Sequence, residues 1–140
     1  MDTSLAVTHS PTQKDRDAIF GALIAFNDAA AGPSGFEPVA VLLRNNEIET
    51  IGGLWGKLSY DWLSIDFLIV PSNLRGQGWG RKLIDAAEEV AIQRGCVGIW
   101  LDTHGFQAPD FYKALGYEVF GELRDYPRGV SRYFLNKLLA

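Results

Sequence analysis

The stretch Val70-Pro71-Ser72-Asn73-Leu74-Arg75-Gly76-Gln77-Gly78-Trp79-Gly80-Arg81-Lys82 constrains this chain more than any other. An apolar run, Ile65 to Val70, leads into it, and an amphipathic helical pattern, Trp79 to Arg94, leads out. Gly76, Gly78 and Gly80 alternate where that helix should begin. Without Cβ atoms the backbone there can turn tightly and bring its N–H groups close to a ligand. The first N–H groups of a helix lack internal partners and carry the positive end of its dipole. Strand, glycine loop and helix start together predict a site for a phosphate or pyrophosphate.

The rest of the chain limits what could surround such a site. Its 140 residues, 47% of them hydrophobic, suit one domain spanning 1–140 with a sizeable core. A net charge of -4 argues against a nucleic-acid partner, which would call for a basic excess. No apolar run approaches the ~20 residues that cross a bilayer, and Met1-Asp2-Thr3-Ser4 has no signal-peptide character, so a cytoplasmic protein without a membrane partner is expected. One cysteine, Cys96, excludes an internal disulfide and a cysteine-based zinc cage, and no metal is expected. Cys96 opens an apolar strand and reads as a core residue.

Leu5-Ala6-Val7-Thr8 is a short candidate strand, and Ser10-Pro11-Thr12-Gln13 reads as a capping box with serine as the cap. The helix that follows should run to about Ala30, with Ile19, Leu23, Phe26 and Ala30 on its buried side. Residues 39–70 read as an antiparallel meander: Val39–Leu43, Glu49–Leu58 and Trp62–Val70, with Gly52, Gly53 and Gly56 inside the second strand. In the helix after the loop, Leu83, Ala86, Ala87, Val90 and Ala91 form an apolar face, with Asp85, Glu88 and Glu89 opposite. Val97-Gly98-Ile99-Trp100-Leu101 is a continuous apolar run, as expected of a strand buried on both faces. With the preceding strand and helix it forms a right-handed βαβ unit. A short helix from Pro109 to Leu115 and two strands, Tyr117–Phe120 and Ser131–Leu135, complete one α/β domain with a mixed sheet.

Two common phosphate motifs fail on spacing. A P-loop needs lysine and then a hydroxyl residue after its last glycine, whereas Gly80 is followed by Arg81-Lys82-Leu83. A dinucleotide loop needs Gly-x-Gly-x-x-Gly close behind its strand; this chain has Gly-x-Gly-x-Gly, set off from Val70 by 71–75. A third pattern uses more of the chain. Arg75-Gly76-Gln77-Gly78-Trp79-Gly80 fits Arg/Gln-x-x-Gly-x-Gly/Ala, and downstream stands Phe111-Tyr112-Lys113-Ala114-Leu115-Gly116-Tyr117. Joined to a strand ending in valine, an amphipathic helix and an apolar strand, these motifs resemble the GCN5-related N-acetyltransferases over nearly the whole chain, most strongly at 65–120.

The resemblance implies a mixed, mainly antiparallel sheet with helices on both faces and a central splayed parallel strand pair. It implies an enzyme that moves an acetyl group from acetyl-CoA directly to a primary amine of a small molecule or peptide. In such an enzyme the segment matching Gly76, Gln77, Gly78, Trp79, Gly80 and Arg81 holds the pyrophosphate, with Arg75 adding charge. The splayed strand matching Leu68, Ile69 and Val70 hydrogen-bonds the pantetheine arm. Phe111 packs against the cofactor, and Tyr112 matches the tyrosine that protonates the departing thiolate, a role open to a phenol that is protonated at neutral pH. The family commonly carries an asparagine before this helix; Thr103 to Ala108 has none, and Gln107 is its nearest substitute.

Attack on the thioester needs a neutral amine, so an ammonium must lose a proton. Asp66, an acid within an apolar strand, is the expected base, and alternation puts it on the face of Ser64 and Leu68. His104 is the alternative base, though a surface loop histidine is the plainer reading, and Asp102 reads as structural. Trp55, Trp62, His104 and Tyr126 are candidates for the acceptor pocket, since aromatics and an acid suit a cationic amine. Dimers are common in the family, which makes a homodimer an expectation. The rival from another class is a CoA-binding sensor or scaffold that keeps the fold without turnover.

Overall fold

The first periodic stretch is helical, but its cap is not the expected serine. In the computed structural model, which describes residues 2–139, α1 runs Gln13–Ala31 with Thr12 as N-cap. The Asp15 N–H donates to Thr12 Oγ1 at 3.1 Å, and the Thr12 N–H returns a bond to Asp15 Oδ2 at 3.0 Å. Asp15 wins because a carboxylate at this position meets both the cap N–H and the positive end of the helix dipole. Up to Ser34 the chain forms a compact unit of its own. Within it the expected buried stripe is not buried: Ile19 is 73% and Phe26 71% exposed, and no residue of α1 is buried. No strand forms at Leu5–Thr8 either, because a lone extended segment has no neighbour in this unit to satisfy its backbone.

From Gly35 onward the chain forms a second unit built on one sheet. β1 (Glu37–Arg44), β2 (Thr50–Ser59) and β3 (Trp62–Ile69) are the antiparallel meander expected over residues 39–70. A single 3-10 turn, Ser72–Leu74, then α2 (Trp79–Gln93) cross over to β4 (Gly98–His104), which lies parallel to β3. A short helix, α3 (Pro109–Ala114), precedes β5 (Glu118–Leu123) and β6 (Arg132–Leu138). The order is β1-β2-β3-β4-β6-β5, so β6 is inserted beside β4, and among the described residues the only parallel pair, β3 and β4, is central.

Leu83, Ile84, Ala87 and Ala91 of α2 pack on Leu43, Leu54, Leu63, Ile65, Ile99, Leu101 and Leu135, and Cys96 is buried at the margin of this core. Burial pushes the Cys96 thiol up, away from the reactive thiolate. Glu88, expected on the polar side of α2, is drawn inward. Lys137 Nζ holds its Oε1 at 2.6 Å and also donates to the Leu115 carbonyl at 3.1 Å, which ties α2, β6 and the turn after α3 together.

One irregularity matters for the site. Trp55 pairs with Phe67 and Gly56 with Ile65, so Asp66 is the extra residue of a β-bulge. The bulge breaks the expected alternation. Lys57, which pairs with Ser64, meets Asp66 Oδ1 at 3.1 Å, so Asp66 stays on the Ser64 side while Leu68, paired with Leu54, packs against the core. Among the described residues no helix is long and apolar enough to cross a membrane.

Candidate active site

The glycine loop is shaped as a cradle. Gly76 and Gly78 have φ of 76° and 85°, the left-handed region that L side chains avoid, and Cβ atoms there would point into open space. Gly78 is the N-cap of α2, and the first bond back along the helix runs from the Lys82 N–H to the Gly78 carbonyl at 3.2 Å. The N–H groups of Trp79, Gly80 and Arg81 therefore face outward at the positive end of a 15-residue helix. Gly80 serves another purpose: a Cβ there would lie 3.0 Å from the Phe111 ring, so this glycine lets α2 and α3 approach. Arg75 folds back and its Nε donates to the Val70 carbonyl at 3.0 Å, while Gln77 Nε2 donates to the Asn73 carbonyl at 3.2 Å. These two bonds brace the loop, and the first occupies a strand carbonyl expected to be free.

Behind the loop the two central strands part. Pairing between β3 and β4 runs from Trp62–Gly98 to Ile65–Leu101 and stops there, although both strands continue. The backbone of 66–69 thus diverges from that of 102–104, leaving polar groups that an extended amide ligand can satisfy. A groove of about 440 Å³ lined by Leu68, Ile69, Val70, Gly76, Gly78 and Phe111 follows the loop. It shares Leu68, Ile69, Arg75, Ala108 and Phe111 with a cavity of about 710 Å³ at the open end of the splay. An anion cradle, a mainly apolar groove and a chamber follow one another, which fits a long ligand with a charged end and a reactive end.

The chamber holds the titratable groups. Tyr112 on α3 is 8% exposed, its ring edge-on to Phe111 at 5.0 Å and to Tyr117 at 6.0 Å. Among the described residues no buried side-chain oxygen or nitrogen goes unpartnered, so the Tyr112 hydroxyl, which bonds to no other side chain, opens onto the cavity. Burial, with a smaller contribution from nearby Asp102, pushes its pKa up to about 12. Asp102 faces Arg132, whose Nε and Nη2 reach Oδ1 at 2.8 and 2.7 Å. The guanidinium lies over the Tyr126 and Phe134 rings at 4.8 and 5.3 Å. His104 stacks on Phe106 at 5.0 Å and lies 5.5 Å from Tyr126. Gln107 binds the loop through its amide oxygen, which accepts from the His104 N–H at 2.7 Å and from Thr103 Oγ1 at 3.1 Å. Its NH2 group remains for a ligand carbonyl.

Of the residues singled out in the sequence, Leu68, Ile69, Val70, Arg75, Gly76, Gly78, Trp79, Gly80, Arg81 and Phe111 line the groove. Asp66, His104, Gln107, Tyr112 and Tyr126 line the chamber. Two tryptophans lie elsewhere. Trp55 is not in the chamber lining but stacks on Phe67, which is, and Trp62 lines a separate aromatic groove with Trp100, Phe120 and Phe134. Arg132 was not among the residues singled out, and Asp102, expected to be structural, is held by it in an ion pair. No local motif marks their pairing; they meet because β6 lies antiparallel to β4 with His104 opposite Arg132. Among the described residues no group of three His, Cys, Asp or Glu side chains is placed to hold a metal ion.

Comparison with known proteins agrees with this geometry. The profile of the acetyltransferase (GNAT) family matches residues 9–117. Acetyltransferase Atu2258 of Agrobacterium fabrum is 37% identical over 120 residues, covering 86% of this chain and 88% of that protein. Blasticidin-S acetyltransferase of Streptomyces morookaense is 41% identical over 92 residues, covering 65% of this chain and 68% of that protein. The crystal structure of an acetyltransferase from Bacillus cereus superposes with a TM-score of 0.85 at 33% identity, covering 96% of this chain and 98% of that one.

Proposed function

The chain belongs to the acetyltransferase (GNAT) family, and from that premise we propose that it is an N-acetyltransferase moving an acetyl group from acetyl-CoA directly to a primary amine. One observation carries the reading: the positive-φ glycine cradle, the splayed strand pair and the chamber with Tyr112 form one continuous path. In this reading the N–H groups of 78–81 hold the pyrophosphate, the backbone of Leu68 and Ile69 and the Gln107 NH2 hold the pantetheine amides, and Phe111 flanks the arm. The thioester then lies beside Tyr112, and the amine enters between Asp66, His104 and Tyr126.

Residue chemistry supports this assignment. The buried phenol is protonated at neutral pH and can hydrogen-bond and protonate the leaving sulfur. The opposite wall supplies Asp66 and His104 as proton acceptors. For the acceptor, the 41% identity to blasticidin-S acetyltransferase makes blasticidin S the first amine to try.

The test mixes the protein with acetyl-CoA and blasticidin S, spermidine, an aminoglycoside, free lysine or a peptide N-terminus, and follows thiol release. Acceptor-dependent release with an N-acetylated product is the expected result. Tight CoA binding with no release across the set would replace the enzyme by a CoA-binding sensor.

A further inference from the structure

The transferase reading requires a proton acceptor for the incoming amine, and the geometry points to His104 as that residue, held in its working tautomer by Gln107. Gln107 presents one atom, Oε1, to the His104 backbone N–H at 2.7 Å, to Thr103 Oγ1 at 3.1 Å and to His104 Nδ1 at 3.2 Å. A backbone N–H can only donate, so the Gln107 atom facing it is the carbonyl oxygen. The ring nitrogen facing the same oxygen must then carry hydrogen, because two acceptors at that distance repel. With Nδ1 protonated, the neutral imidazole has its lone pair on Nε2. The Phe106 and Tyr126 rings hold the imidazole plane, and His104 belongs to the chamber wall.

The charged and titratable groups sharing that chamber are Asp66 on β3, Arg75 on the loop, Asp102 on β4, Tyr112 on α3, and Tyr126 and Arg132 at the entry to β6. Both acids already hold a cation: Lys57 meets Asp66 and Arg132 meets Asp102. Among the described residues, His104 Nε2 has no such partner.

The step balances. Nε2 takes one proton from the ammonium, and the freed nitrogen lone pair attacks the thioester carbonyl carbon. The C–N bond forms, the C–S bond breaks with its electron pair on sulfur, and Tyr112 supplies the sulfur's proton. The second amine proton returns through solvent to Tyr112, and His104 releases its own to solvent, giving amide, thiol and one proton.

Two measurements test the assignment. Nitrogen-15 NMR of the full chain reads the tautomer directly: Nδ1–H is expected, and Nε2–H as the major neutral form overturns it. The second is kcat against pH at saturating blasticidin S, or spermidine if that turns over instead. His104→Gln should lower kcat about 100-fold, within the usual range for a general base, and abolish the acidic limb while the melting temperature stays put. Gln107→Glu keeps an oxygen acceptor, adds negative charge beside the imidazolium, and should move the acidic limb to higher pH. An H104Q enzyme with at least half of wild-type kcat and the same acidic limb overturns the role of His104 alone. Silence of the wild type towards every amine instead overturns the transferase reading on which the inference rests.

Discussion

Replacing Tyr112 by Phe removes one oxygen, and the structure says what should and should not change. The hydroxyl bonds to no other side chain and opens onto the cavity, so its loss breaks no internal hydrogen bond and leaves no partner stranded. Stability at neutral pH should therefore move by less than about 0.5 kcal/mol, the range of changes that touch no packing or buried partner. Turnover should fall by roughly 10²–10⁴, the usual contribution of a positioned proton donor. The pH dependence separates this role from a packing role. The folded-state pKa is raised from 10 to about 12, so the phenol stays protonated through the ordinary assay range and places no alkaline limb below about pH 11. For a phenol, whose neutral form is the protonated one, a raised pKa stabilises the fold fully below pH 10 and loses that contribution as pH climbs from 10 to about 12. The full loss is on the order of 2–3 kcal/mol, about half of it reached by pH 11, and the Phe variant should be spared it. Stopped-flow thiol release from pH 6 to 10.5, with urea melts at pH 8 and 11, measures both. A Y112F enzyme with wild-type turnover, under conditions where chemistry limits the rate, would refute the acid role.

Three further substitutions probe the scaffold. Gly78→Ala puts a Cβ on a residue at φ 85° and aims it into the cradle; it should cost about 1 kcal/mol of stability and weaken CoA binding about tenfold by calorimetry. Gly98→Ala should cost about 1–3 kcal/mol in a denaturant melt, because the added carbon meets the Lys137 carbonyl at 2.7 Å and the Trp62 ring at 2.8 Å. Arg132→Met leaves a half-buried Asp102 without its cation; after allowance for solvent screening a loss of about 1–2 kcal/mol is expected, seen as a melting-temperature drop of a few degrees.

What the sequence made legible follows from where the information lies. The cradle is local: alternating glycines after an apolar run specify positive φ and a free helix start whatever packs elsewhere, and the loop has that form. The meander was legible because short apolar runs separated by turn residues are a property of neighbours along the chain. Three features were not. The stripe of α1 has helical spacing but no layer within its own unit to cover it, so periodicity alone could not make it a core face. Leu68 left the expected face of Ser64 and Asp66 because a bulge is decided by pairing with β2, not by the residues of β3. Arg132 and Asp102 are brought together only by β6 inserting beside β4, a topological event with no sequence motif of its own. The glycine cradle is thus written in short-range pattern, while the chamber is assembled from β3, β4, α3 and the approach to β6. That division has a functional consequence. Under the proposed transferase reading, Tyr126 and Arg132, which lie outside the glycine-loop motif, can vary to suit a different amine without disturbing the cradle.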